Sequence, residues 1–153
     1  MSETLTRGLR ASGPPLDLLG RLLLVSVFIA EGWDKLAHYP GALAYMAMHG
    51  VPGALLPFAI LVEIGCSLLV LAGWHTRLAA LGLAVFSAAA AILFHLGVPG
   101  RSELLHFEKD LALAGAFLIL AARGAGGLSL DALGEAGWWV APSAADRRSR
   151  SAS

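Results

Sequence analysis

Phe28-Ile29-Ala30-Glu31-Gly32-Trp33-Asp34-Lys35-Leu36 decides how the rest of the chain is read. It continues an apolar run from Leu22 to Ala30 and then places three charges within five residues. Glu31, Asp34 and Lys35 are spaced i, i+3 and i+4, which predicts one shared helical face. Charge in an apolar helix persists only where it is paired or hydrated. The stretch therefore predicts a membrane helix whose last turns face other polar groups.

Composition sets the surroundings. Hydrophobic residues make up 57% of the 153 residues and charged residues only 14%, with a mean hydropathy of +0.70. Soluble domains average roughly 45–50% apolar and about 25% charged residues. The excess predicts membrane-spanning segments. Formal net charge is +0, so no global field favours nucleic acid or acidic partners. The single cysteine, Cys66, sits in an apolar run. It allows no intramolecular disulfide and no dithiol relay, and reads as a small packing residue. Arg7 and Arg10 precede the first apolar stretch as in a signal peptide, but further long apolar stretches follow. The first stretch reads as a retained helix.

Outward from that stretch, the chain divides into three parts. Residues 1–15 predict a mobile cytoplasmic terminus, 16–124 a four-helix transmembrane domain, and 125–153 an interfacial segment with a disordered basic tail. The helices are expected at about Leu16–Ala37, Ala54–Gly73, Leu78–Val98 and Glu103 or Leu104 to Arg123. Pro14-Pro15 fits a helix start. Leu43 to Met48, between glycines and prolines, predicts a short interfacial helix in the first outer loop. Leu128 to Leu133 with Trp138-Trp139 predicts an amphipathic C-terminal segment. The expected fold is all-α: an integral membrane four-helix bundle.

Four spans place both termini on one side. That side holds Arg7, Arg10, Arg77, Arg123, Arg147, Arg148 and Arg150, with Arg21 nearby as a snorkelling arginine. The other side holds Lys35, Arg101 and Lys109. The positive-inside rule makes the arginine-rich side cytoplasmic. Titratable groups from all four helices then converge on the outer half: Glu31, Asp34 and Lys35; Glu63; His95; and His106, Lys109 and Asp110.

Glu63 has two readings. It forms a packing-fixing pair with Lys35 or Lys109, or it serves as a proton-relay or ligand-binding acid. Lys109 is expected in the bundle interior beside the small residues Ala112 and Ala116, with Asp110 at the outer helix ends or loop. His95, in register with Ala80, Ala84, Ala88 and Ala91, is expected to face protein, as a helix-end hydrogen-bonding group, a proton shuttle or a ligand of a carbonyl group or metal. Trp33 reads as an interfacial anchor or a surface for stacking on a ring. No HxxxH or HExxH spacing is present, so no metal site is expected; nor is there a phosphate-cradling loop, nucleophile elbow or haem attachment motif.

The motifs, in their order, resemble those of the DoxX family. They are Arg21-Leu22-Leu23-Leu24 leading to Gly32-Trp33-Asp34-Lys35-Leu36, Leu43-Ala44-Tyr45-Met46 before Gly50-Val51-Pro52, and Leu61-Val62-Glu63-Ile64-Gly65. Then come Gly73 with Thr76-Arg77-Leu78-Ala79-Ala80, Phe94-His95, Glu108-Lys109-Asp110-Leu111-Ala112-Leu113-Ala114-Gly115, and Leu128-Ser129-Leu130-Asp131. The resemblance covers roughly Leu16 to Leu133. It implies a four-helix membrane protein of the inner (plasma) membrane, an oxidoreductase or quinol-oxidase-like subunit, or a scaffold for soluble redox enzymes. Glu108 stands where the family often has Asn, and Glu31 where it has a small or neutral residue, so this outer site is more acidic. The expected role is a quinone-linked redox subunit. Glu63, His95 and Lys109 are the proton-exchanging groups, and Glu31, Trp33, Asp34, Lys35 and Asp110 contribute to binding. The alternative is a non-catalytic scaffold docking a soluble redox or detoxification enzyme. A small-solute transporter would need the oligomerisation that the small-residue stripes permit.

Overall fold

A computed structural model describes residues 13–138, with side chains up to residue 134. The arginines at 7, 10, 147, 148 and 150, and the mobile and disordered termini expected around them, lie outside the described residues. Among the described residues all regular structure is helical. Four long helices, α1 (Gly13–Ala37), α3 (Gly53–Ala72), α4 (Thr76–His95) and α5 (Arg101–Arg123), pack side by side. Two short ones, α2 (Tyr39–Met48) and α6 (Leu130–Trp138), lie near opposite ends of the bundle.

Helices α1, α3 and α4 are long and apolar enough to cross a membrane. The expected fourth span, α5, has comparable length, 23 residues. Five of its first ten residues, however, are charged: Arg101, Glu103, Glu108, Lys109 and Asp110. By length and apolar character three helices among the described residues qualify, not four.

Each long helix buries a stripe with steps of three and four, the signature of one face. In α1 it is Arg21, Val25, Phe28 and Gly32; in α3 it is Leu56, Ile60, Glu63, Ser67 and Val70. In α4 it includes Thr76, Ala80, Leu83, Ser87 and Ala91; in α5 it is Asp110, Ala114 and Phe117. Lipid is as apolar as leucine, so association rests on close packing rather than on escape from water. The α4 alanines meet that need, and so does Gly32: a Cβ there would lie 2.7 Å from Ile64 Cγ1 of α3. In the core, Phe28 meets the Phe117 ring edge-on at 5.4 Å. Helices α4 and α5 share the most extensive contact, whereas α1 and α5 touch sparingly.

The α5 stripe corrects the sequence expectation. Lys109, Ala112 and Ala116 do not form its inner face. Asp110 is buried and Lys109 is exposed. The inner stripe passes through residue 110, and consecutive helical residues project roughly 100° apart, so both cannot point inward.

Arg21 does not snorkel. It is buried, and it donates from Nη1 to the carbonyls of Val70 (3.0 Å) and Leu71 (3.1 Å), and from Nη2 to that of Leu128. The carbonyls at the end of α3 have no partners within the helix, and the guanidinium supplies donors for two of them. Gly73 ends α3 in the left-handed conformation at φ 69°. Its amide and that of Trp74 bond back to Val70 and Leu69, a Schellman closure. The C-terminal segment is tied to the same turn. Asp131 N–H donates to Gly73 O at 2.8 Å. Its carboxylate accepts from the backbone of His75 (2.9 Å) and Thr76 (3.1 Å), capping α4 from 55 residues away.

Candidate functional site

At the end of the bundle opposite Arg21, seven titratable side chains form one connected series. Glu63 Oε1 accepts from Lys35 Nζ at 2.7 Å. Lys35 Nζ lies 3.8 Å from Glu31 Oε2. Glu31 Oε1 accepts from Lys109 Nζ at 3.2 Å, and Lys109 Nζ lies 3.4 Å from Asp110 Oδ1. Asp110 Oδ2 is 3.6 Å from His95 Nε2, and His95 Nδ1 is 2.8 Å from Glu103 Oε2. His106 stacks on His95 with ring centroids 5.3 Å apart. Acid and base alternate along the series, so each carboxylate lies beside a basic group, a condition for retaining polar groups among apolar helices.

The inner stripes explain the membership. On α1, Lys35 lies roughly 40° from the centre of the buried face, Glu31 roughly 80° and Asp34 roughly 140°. Glu31 and Lys35 therefore join the series. Asp34 turns outward, 72% exposed, and pairs with His38 at 2.9 Å. Trp33 is exposed at an apolar groove with Leu22, Val25 and Leu71, on the other flank of α1 from Glu31. The structure thus brings together Glu31, Lys35, Glu63, His95, Lys109 and Asp110. It leaves Asp34 and Trp33 outside the series. The shared face expected for Glu31, Asp34 and Lys35 is split.

Glu63 and His95 each sit in a π-helical turn, Leu61–Cys66 in α3 and Ala91–His95 in α4. Widened turns of this kind recur at functional sites. Glu63 is 1% exposed; one carboxylate oxygen is held by Lys35, and Oε2 has no hydrogen-bond partner among the described residues. The hydroxyls of Ser67 and Ser87 on the adjoining buried stripes also lack partners there. At the other extreme, Glu31 and Lys109 have side chains 43% and 40% exposed. They bridge α1 and α5 at the bundle surface. The series is therefore open at that α1–α5 seam and sealed at Glu63.

Helix α2 covers the same end. Met46 packs with Val51, Leu56 and Ile60, and Tyr45 stacks on Phe94 at 5.5 Å. Burial pushes the Tyr45 hydroxyl upward, and the carboxylates of Glu103 and Asp110 add to the shift. Tyr45 therefore stays a neutral hydroxyl across the physiological range.

Glu103 was not singled out from the sequence, although a signal existed. Glu103, His106 and Asp110 are spaced i, i+3 and i+7, one face of α5. No group of three or more His, Cys, Asp or Glu among the described residues is arranged to hold a metal ion. The series offers charge-assisted hydrogen bonds and exchangeable protons, which suit a polar, proton-accepting headgroup.

The DoxX family profile matches residues 16–96. Inner membrane protein YqjF of Escherichia coli K12 is 41% identical over 121 residues, covering 79% of this chain and 93% of that protein. Inner membrane protein YphA of the same organism is 32% identical, covering 79% and 91%. The membrane protein Rv3486 of Mycobacterium tuberculosis H37Rv is 36% identical over 140 residues, covering 82% and 85%. No solved structure matches. Three apolar helices of spanning length and matches of this extent agree: the chain belongs to the DoxX family of membrane proteins.

Proposed function

We propose that this protein is a quinone-linked redox subunit of the inner (plasma) membrane. In this reading α5 is a fourth span and both termini are cytoplasmic. The observation that carries it is the connected series open at the α1–α5 seam and closed at Glu63. Lys109 Nζ and the His95 ring would hold a quinone carbonyl at the seam by hydrogen bonds. Reduction of a quinone takes up two electrons and two protons; the electrons come from a redox partner, and this chain supplies proton exchange. Glu63, His95 and Lys109 are the exchanging groups, and Glu31, Lys35 and Asp110 hold them in place. In α5, Glu103, Lys109 and Asp110 are tolerated at membrane depth because they face partners on α1 and α4.

The test is quinone identification in lipid extracts of gently purified protein. Glu63→Gln and Lys109→Ala should each lower retained quinone, and the double variant should abolish it. Unchanged retention in the double variant would overturn the reading. Orientation is tested separately with reporter fusions at both termini, which should be active only in the cytoplasm.

A second reading is a non-catalytic scaffold for a soluble redox or detoxification enzyme. It is favoured by the way Arg21 and Asp131 hold the C-terminal segment rigidly on the bundle. Truncation discriminates the two readings only if it spares that anchor. Removing residues 139–153 should abolish partner recovery under the scaffold reading and leave quinone retention unchanged under the first.

A further inference from the structure

We propose that a cleft at the Arg21 end binds a phosphate-bearing anion, supplied by the headgroup of an anionic phospholipid. The cleft, of about 840 Å³, lies between the α3–α4 turn and the loop joining α5 to α6. It is separate from the acidic series at the other end, so its test does not depend on quinone binding.

Two arginines line it: Arg77 in the first turn of α4 and Arg123 at the end of α5. Both are exposed, and neither has an ion-pair partner among the described residues. Gly124 brings them together. Its φ of 85° turns the chain directly after Arg123, and a Cβ on it would lie only 3.5 Å from Arg77 Nε. The guanidinium of Arg77 thus rests along the backbone beside Arg123. Two guanidinium groups lining one cleft favour a shared anion, and their planar forks suit phosphate oxygens.

Among the described residues the one carboxylate lining the cleft, Asp131, does not serve as that anion. Both oxygens of Asp131 accept backbone N–H groups, from His75 and Thr76. Asp17 packs against Gly126 and is not among the lining residues.

The surroundings favour lipid over free phosphate. Trp74, Leu78 and Leu130 line the same cleft and are exposed. An aromatic and apolar wall beside unpaired arginines is the pattern of a headgroup-level site, with the phosphate on the guanidiniums and the acyl chains along the leucines.

The experiment uses the full chain in zwitterionic phosphatidylcholine nanodiscs, titrated with phosphatidylglycerol and followed by native mass spectrometry and thermal unfolding. Phosphatidylglycerol should be retained over phosphatidylethanolamine. Arg77→Gln and Arg123→Gln should each weaken that retention about fivefold, whereas Arg101→Gln at the opposite end should not. Circular dichroism identifies any variant that fails to fold, and Arg123→Gln, at an exposed helix end, keeps the proposal falsifiable if Arg77→Gln does. A parallel arm adds inorganic phosphate alone. No stabilisation by phosphate supports the lipid assignment; displacement of phosphatidylglycerol by millimolar phosphate overturns it. Equal retention in wild type and both arginine variants overturns the site itself.

Discussion

Lys35 Nζ lies 2.7 Å from Glu63 Oε1, joining a side chain that is 28% exposed to one that is 1% exposed. The pair spans α1 and α3 where Gly32 lets the helices approach closely. It fixes the relation of the two helices at the level of the acidic series. A buried ion pair adds little net stability, because desolvation offsets its attraction. Removing one partner is another matter.

Lys35→Met should therefore destabilise the protein by about 3 kcal/mol, the low end for breaking a buried pair, since Lys35 itself is partly hydrated. Glu63→Gln should cost much less, and the double variant should recover most of the loss. A double-mutant cycle by thermal unfolding in one detergent measures the coupling. Additive costs in that cycle would show that the pair does not act as a unit.

Lys109→Gln should behave differently. Its partners Glu31 and Asp110 meet it at an exposed rim, where ion pairs are worth under about 1 kcal/mol and weaken with salt. Unfolding temperature should barely move while quinone retention falls. A large stability loss would place Lys109 among the structural groups.

The cap on α4 should be pH-sensitive. Burial alone would push the Asp131 carboxyl up, but the backbone N–H groups of Thr76 and His75 outweigh it and hold it below its ordinary 3.8. The folded carboxyl then binds its proton more weakly than the unfolded one. The contribution is full above the unfolded value and is lost as pH falls through the lowered folded value, so the window lies below about pH 4. Asp131→Ala should cost about 1 kcal/mol at neutral pH, as for other lost caps. The gap from wild type should close in acid. Thermal unfolding of both proteins from pH 3 to pH 7 tests this, and a constant gap would refute it.

Gly73→Ala should be among the most damaging small changes. The residue has φ 69°, and an added Cβ would lie 2.6 Å from Arg21 Nη1 and also clash with Ser129. Strain and displacement together predict a loss of about 2 kcal/mol or more. They also predict faster proteolysis of the 124–129 loop, because the same turn anchors the C-terminal segment. Cleavage kinetics equal to wild type would contradict that linkage.

Much of the fold was legible in the chain. Steps of three and four in the apolar pattern locate each long helix within a few residues, and proline and glycine mark their ends. Tyr39–Met48 extends the helix expected at Leu43 to Met48. Less of the site was legible. Spacing alone grouped Asp34 with Glu31 and Lys35, because three residues within 100° of arc look alike until the partner helix selects which side is buried. Glu103 joined the site through His95, eight residues away across a turn that periodicity does not cross.

The sequence by itself determined that the protein is helical, membrane-embedded and polarised, with acids and amines toward one end and Arg21, Arg77 and Arg123 at the other, since those properties follow from local periodicity and composition. Only the tertiary structure decided that Lys35 rather than Lys109 holds Glu63, that Asp110 turns inward, and that Arg21 and Asp131 lock the opposite end. Those outcomes depend on helix rotation and approach, set by small residues such as Gly32 and Gly73 whose close contacts lie on segments distant in the chain.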